Sequence, residues 1–260
     1  YNHNIAIDAA GNAWTWGAGT TGQLGDGGAT TRANPLKISS LSAVVATDVG
    51  LSHTLAVTRD GQLWVWGEGL AGQLGATVDT DRTRPSTVQG IADIVQIAGG
   101  LRHSLALQSD GTVWAWGYNL GGQLGDGSID SQTRPVKVAG LTGVIQVSAG
   151  AVHSLARKSD GTVWAWGSNT RGELGQSGDT LRSGPVKVSG IASVNHVAAG
   201  LGFSLAALAD GSVWAWGNND TGQLGITPSI TGEANANTHT TPIRVPGLPR
   251  VMSVATGQQH

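Results

Sequence analysis

Histidine recurs at a fixed interval in this chain: His3, His53, His103 and His153 stand fifty residues apart. Imidazoles at one position of successive units are candidate metal ligands or proton carriers. The fifth place holds Phe203, however, and no Asp or Glu recurs beside the histidines to orient their rings. They therefore read as structural residues that satisfy their hydrogen bonds locally. Ser104 and Ser154 follow two of them in strand register and without an acid partner, which is not a nucleophile–base–orienter set. Two segments, Gly17 to Gly22 and Gly67 to Gly72, match G-x-G-x-x-G, the pattern of a dinucleotide loop. That loop needs a helix to open behind it, and Gln-Leu-Gly follows instead. The other copies carry Asn119, Asn169 and Asn219 at the middle place, which predicts a left-handed turn position. Acidic loop residues Asp26, Asp79, Asp81, Asp126, Asp130 and Asp179 are candidate calcium ligands by type, but none sits in a D-x-[DN]-x-[DN]-G loop. No catalytic residue, metal ligand or cofactor is expected, and the chain reads as a non-enzyme.

The elements that position these residues come from an internal repeat. Asp-Gly recurs at Asp60-Gly61, Asp110-Gly111, Asp160-Gly161 and Asp210-Gly211, with Ala10-Gly11 as a degenerate first copy. Trp-x-Trp-Gly follows each, from Trp14, Trp64, Trp114, Trp164 and Trp214, and these five motifs use all 10 tryptophans. Gly-Gln-Leu-Gly comes next, with Gly172-Glu173-Leu174-Gly175 as the one variant. Paired indoles invite a carbohydrate or a single-strand stacking role. Five identical placements on one strand read more simply as packing between units, with both indoles of a pair on one side.

The repeats run approximately 1–50, 51–100, 101–150, 151–200 and 201–257, the last with an insertion within Ile226 to Thr241. Each reads as four strands. In the fourth they are Val144 to Val147, His153 to Arg157, Val163 to Trp166 and Pro185 to Val188. Asp-Gly between the second and third strands predicts a two-residue type I′ hairpin. Proline at the start of the fourth suits an outer edge strand. The expected fold class is all-β, a β-propeller of four-stranded antiparallel blades formed as one domain.

The composition narrows the functional classes. A net charge of -2, from 15 Lys+Arg and 17 Asp+Glu, gives no electrostatic footprint for nucleic acid. No apolar run reaches the roughly 18 residues of a membrane span, so no membrane insertion is expected. Zero cysteine removes disulfides, thiol catalysis and cysteine zinc sites. With no starting Met and no signal-peptide pattern, the chain reads as a mature product or an excerpt.

The run G-x-x-H-S-L-A-L-x-x-D-G-x-V-W-A-W-G-x-N-x-x-G-Q-L-G, intact from Gly100 to Gly125, resembles the regulator-of-chromosome-condensation repeat, and the resemblance covers the whole chain. It implies a β-propeller with one repeat's worth of strands per blade. Val251 to Gly257 has the pattern of an innermost strand and is placed to supply the one that the first repeat lacks, closing five blades. A five-repeat piece of a larger, seven-bladed ring predicts the same ends, because Gln258-Gln259-His260 duplicates Tyr1-Asn2-His3.

The repeats differ in two loops expected on one face, between strands one and two and between strands three and four. Their variable residues are the candidate binding set: Glu68, Leu70, Arg102, Tyr118, Leu120, Asn169, Arg171, Asn219 and Asp220. The first functional expectation is a non-enzymatic protein-binding module gripping a protein partner with that face. Relatives by resemblance include guanine-nucleotide exchange factors for a small GTPase and bacterial secreted inhibitors of β-lactamases, so exchange on a small GTPase is the alternative. A third reading is a structural repeat block of a larger secreted or cell-surface protein. Four lysines, a Thr/Asn/Ser/Gly-rich surface and no cysteine lean toward a bacterial, secreted or surface-exposed protein.

Overall fold

The computed structural model describes residues 2–77, 80–229, 236–257 and 260. Its strands form five antiparallel sheets, and there is no helix among the described residues. The first sheet holds β1 (His3–Ile7), β2 (Ala13–Gly17) and β3 (Arg32–Lys37). The second holds β4 (Val44–Val49), β5 (His53–Thr58), β6 (Leu63–Gly67) and β7 (Arg82–Thr87). The third runs through β8 (Ile94–Gly99), β9 (His103–Gln108), β10 (Val113–Gly117) and β11 (Gln132–Lys137). The fourth runs through β12 (Val144–Ala149), β13 (His153–Lys158), β14 (Val163–Ser168) and β15 (Leu181–Lys187). The fifth holds β16 (Val194–Ala199), β17 (Phe203–Leu208), β18 (Val213–Asn218) and β19 (Thr238–Arg244). Every sheet is a simple meander in chain order.

The chain divides into two compact units, 1–120 with 130–137 and 121–129 with 138–260. The first contains three sheets and the second contains two. In each unit the core lies between consecutive sheets. Leu55, Leu63, Val65, Leu74 and Val88 pack with Ile94 and Trp116 of the next sheet. Leu155, Val163, Leu174 and Val188 pack likewise with Val194 and Trp216. Short strands expose too much apolar face to stand alone, and stacking the sheets buries it.

Local chemistry sets the turns. The hairpin at Asp-Gly is not the expected type I′ turn, because only glycine takes positive φ there (Gly61 at 76°). Thr58 N–H bonds the Gln62 carbonyl at 3.1 Å and Gly61 N–H bonds the Thr58 carbonyl at 2.8 Å, which defines a three-residue loop ending in a left-handed glycine. Asp is preferred because its side chain accepts the backbone N–H two residues on, at 2.8 Å from Thr112 to Asp110 and 3.0 Å from Thr162 to Asp160. In the degenerate copy Asp8 does this for Ala10 and Asn12. Pro35, Pro85, Pro135, Pro185 and Pro242 all fall inside the outer strands β3, β7, β11, β15 and β19, as edge prolines should. β15 begins at Leu181, four residues before its proline.

The first sheet has three strands, with β1 at its inner edge. Val251 to Gly257 takes part in no sheet among the described residues. It keeps the backbone links of an innermost strand: Val251 N–H bonds the Gly211 carbonyl, as Val194 bonds Gly161, and Gly257 N–H bonds the His260 carbonyl, as Gly200 bonds Phe203.

Within each of the last four tryptophan pairs the two indoles are not equivalent. Trp66, Trp116, Trp166 and Trp216 have no exposed surface, whereas Trp64, Trp114, Trp164 and Trp214 are half-buried at the hairpin end. The expectation that both pack between units therefore holds fully for the second of each of these four pairs, while Trp16, the second of the first pair, is only half-buried. The ammonium of Lys137 lies 5.2 Å from the Trp114 ring centre, and the Trp114 Nε1–H donates to Gln108 Oε1 at 2.6 Å. Trp116→Ala is accordingly expected to cost about 3–5 kcal/mol, the range for large-to-small core changes. Trp114→Ala should cost less, about 1–2 kcal/mol, since its ring is only partly buried against the core. Urea unfolding of the two variants checks the order.

Candidate functional site

The loops are set by a junction that recurs between consecutive repeats. The carbonyl of Gln23 accepts the Trp66 Nε1–H at 2.9 Å and the Thr54 hydroxyl at 2.8 Å. Gln73 repeats this with Trp116 and Ser104, Gln123 with Trp166 and Ser154, and Glu173 with Trp216 and Ser204. A third element joins from the preceding repeat. His3 Nε2 lies 2.9 Å from the Thr54 hydroxyl, His53 Nε2 3.0 Å from that of Ser104, and His153 Nε2 2.9 Å from that of Ser204. Because each hydroxyl gives its hydrogen to a carbonyl, the imidazole must donate from Nε2, which fixes the tautomer. The Gln side chain then turns back on its own loop: Gln23, Gln73, Gln123 and Gln223 Oε1 each accept the N–H two residues earlier at 2.9–3.0 Å.

This junction anchors the two variable loops side by side. Glu68 N–H bonds the Ser52 carbonyl, Tyr118 bonds Arg102, Ser168 bonds Val152 and Asn218 bonds Gly202, at 2.8–2.9 Å. The approach is close enough to demand glycine at the end of the third strand. Gly117 has φ of 106°, and a Cβ there would lie 2.5 Å from the Arg102 carbonyl oxygen.

The candidate residues fall into four groups on this scaffold. Leu70 and Leu120, at one repeat position, are 69% and 59% exposed. Thr20, Thr170 and Asp220 fill that position elsewhere. Tyr118 is half-buried, and Arg102 is exposed with its guanidinium 3.5 Å from Glu68, which is itself almost fully buried. Asn169 and Asn219 serve the loop rather than its outer face. Asn219 is buried, accepting the Leu224 N–H and donating to the Ile226 carbonyl; Asn169 does the same with Leu174 and Gln176. The middle place is thus not a left-handed turn position. Gly19 and Gly69 are absent from the positive-φ glycines, and a Cβ there would lie 2.0 Å from the Thr30 carbonyl oxygen or 2.2 Å from that of Thr80. Glycine lets the far limb of the loop approach, and asparagine instead reaches across to it.

Arg171 and Asp220 form an exposed ion pair at 2.9 Å in the second unit. They border a cleft of about 370 Å³ that Val152, Leu201 and Gly202 line from the neighbouring loops, with Glu173 below them. Glu173 stands where the other repeats have glutamine and keeps the same bond, accepting the Arg171 N–H at 2.7 Å. Burial pushes its carboxyl above the usual range, against the hydrogen bonds that hold it down. Glu173 and Leu201 were not among the sequence candidates, although the single Gly-Glu-Leu-Gly variant marked the first of them.

The remaining motifs have local partners. Asp26 pairs with Arg32, Asp81 accepts the Gly69 N–H, and Asp179 pairs with Arg182. Among the described residues no three His, Asp or Glu side chains are grouped to hold a metal ion. Asp79, the insertion residues 230–235, and the terminal residues Tyr1, Gln258 and Gln259 lie outside the described residues.

The model of the RCC1-like domain family matches residues 1–260. The chain belongs to that family. Its fold is correspondingly that of a β-propeller. A crystal structure of yeast RCC1 (Prp20) bound to Kap60 is 25% identical with a TM-score of 0.86, covering 99% of this chain and 64% of that one. A structure of Prp20p from Saccharomyces cerevisiae, described with its binding properties to Gsp1p and histones, is 26% identical with a TM-score of 0.85, covering 99% and 66%. Human WBSCR16 shares the fold at 23% identity and a TM-score of 0.84, covering 99% and 68%. This RCC1-like chain therefore spans about two thirds of the length of those proteins. No curated protein sequence matches it.

In this RCC1-like scaffold the histidines carry a pH liability. Burial pushes the imidazoles of His53 and His153 down to about 3 and that of His3 to about 4. The Nδ1 atoms of His3, His53 and His153 have no hydrogen-bond partner. They stay neutral in the fold, whereas an unfolded histidine takes a proton near its ordinary value of about 6.5. Their contribution is complete above that value and is lost as the pH falls below it toward 3 or 4, by up to about 1.4 kcal/mol per pH unit for each. Asp48 works the other way, since burial pushes it up to about 6. A single substitution isolates one histidine: His153→Phe copies the residue that the fifth repeat uses at Phe203. Melting temperatures between pH 7 and pH 4 should fall more steeply for the wild type than for this variant.

Proposed function

We propose that the chain is a non-enzymatic protein-binding module that grips a protein partner with its loop face. The observation that carries this is the exposure of Leu70 and Leu120, at 69% and 59%, on loops whose backbones are pinned by the junction. Large apolar side chains on short, pre-organised loops lose little entropy on binding and anchor interfaces well. Arg102, held toward Glu68, and half-buried Tyr118 supply the residue types that interfaces favour. Prp20, similar in fold over 99% of the chain, was solved with Kap60 bound, which supports a partner-binding role for such a scaffold. The low lysine count and absence of cysteine favour a bacterial, secreted or surface setting for that role.

A second reading is nucleotide exchange on a small GTPase. The favouring observation is the likeness to Prp20p, described with its binding to Gsp1p. An assay of nucleotide release from a small GTPase separates the two, and no acceleration would sink the exchange reading. The binding reading predicts that Leu70→Arg with Leu120→Arg abolishes capture of a partner from the source organism's lysate or medium. The melting temperature should stay within a degree or two, as expected for exposed positions. Identical empty captures from both proteins would instead favour a structural repeat block.

A further inference from the structure

The junction between the fourth and fifth repeats differs from the others in charge. Arg171 stands where the other repeats have Thr21, Ala71, Gly121 and Thr221. Asp220 stands where they have Thr20, Leu70, Leu120 and Thr170. Glu173 replaces a glutamine whose amide has no special need of charge, since Gln23, Gln73, Gln123 and Gln223 make the same loop bond. Three neutral positions have thus become charged around one cleft of about 370 Å³.

The balance of that cleft is one positive and two negative groups. Arg171 is spent on Asp220 at the rim, with both side chains about half exposed. Glu173, 1% exposed at the floor, forms no ion pair among the described residues. The Arg171 charge and the hydrogen bonds from the Arg171 N–H and the Ser168 hydroxyl offset only part of the cost of burying that carboxylate, and a second cation brought into the cleft offsets more. Val152 and Leu201 line the same cleft, and Leu201 is 38% exposed. Their apolar surface suits the aliphatic stem of a long basic side chain. The second acidic group, Asp220, sits at the mouth, where the fork of a guanidinium could meet it.

We propose that the cleft bounded by Arg171, Glu173, Asp220 and Leu201 is an anchor pocket for an arginine side chain of a protein partner. This rests on the loop-face reading and gives the partner a chemistry. A free anion is disfavoured by the net negative charge. A purely apolar anchor would leave the Glu173 charge as it stands.

The test uses the whole chain and N-acetyl-arginine methylamide as the probe. Titration is followed by backbone amide NMR shifts at Gly202, Asn218 and Thr221. The wild type should give saturable shifts at these residues. The neutral isostere N-acetyl-citrulline methylamide should bind about tenfold more weakly, as expected when a charge-assisted contact is lost. Glu173→Gln should weaken the arginine probe by a similar factor while leaving the melting temperature unchanged or higher, because glutamine is what the other repeats carry. Asp220→Asn should weaken it as well. Equal affinity for the arginine probe in wild type and Glu173→Gln, or no saturable shift in wild type, would overturn the proposal. If the probe fails while partner capture still depends on Leu70 and Leu120, only the pocket is wrong. If the probe binds as expected and capture is indifferent to those leucines, the pocket stands and the loop-face reading falls.

Discussion

One backbone carbonyl in each of the first four repeats, that of Gln23, Gln73, Gln123 or Glu173, receives both an indole N–H and a hydroxyl from the following repeat. A buried carbonyl has two lone pairs, and leaving either unmet would cost about 1–3 kcal/mol. The Trp-x-Trp-Gly, His-Ser and Gly-Gln-Leu-Gly motifs are three sides of this single contact, which is why they recur together. Each is interpretable only with its neighbour: the tryptophan needs the glutamine before it, and the hydroxyl needs the histidine before that. Within each unit, consecutive sheets are thereby locked in one register, and apolar packing around Leu55, Leu155 and their equivalents does the rest.

The division of labour within a repeat follows from that lock. Positions that touch the junction are nearly invariant from copy to copy, since each must satisfy two or three partners at once. Positions one or two residues away, on the same loops, are held in place by the junction without taking part in it. Leu70, Leu120, Arg102 and Asp220 belong to this second class and are free to differ. A scaffold of this kind separates stability from recognition, so that surface chemistry can change without loss of fold. Glu173 is the exception that belongs to both classes: its carbonyl serves the junction and its side chain lies beneath a cleft.

Much of the fold was legible in the sequence because its signals are periodic. The strand count per repeat and the edge prolines followed from recurrence and residue type, whereas the histidines, expected to satisfy their hydrogen bonds locally, instead bond hydroxyls of the next repeat, 51 residues on. The hairpin type did not, because Asp-Gly suits both a two-residue and a three-residue loop. Only the backbone bonds of Thr58 with Gln62 and Gly61 distinguish them. The role of the middle asparagine was missed for a related reason. Asn119, Asn169 and Asn219 look like turn residues locally, but their partners lie across the loop, at a distance in sequence that no local rule addresses. On the binding face, exposure separated the candidates: Leu70 and Leu120 project, whereas Asn219 and Glu68 turn inward. Variability between repeats marks a loop without saying which way a side chain points, so the sequence does not separate them.

The loop face is held in place only if the junction is the least mobile part of each repeat. Exchange of the indole Nε1 protons with deuterium, read by NMR, tests this directly. The protons of Trp66, Trp116, Trp166 and Trp216 should exchange only when their unit opens globally, at least about a hundredfold more slowly than those of Trp64, Trp114, Trp164 and Trp214. Equal rates for the two sets, with strand amides still protected, would mean that the junction breathes independently and does not hold the loop face in place.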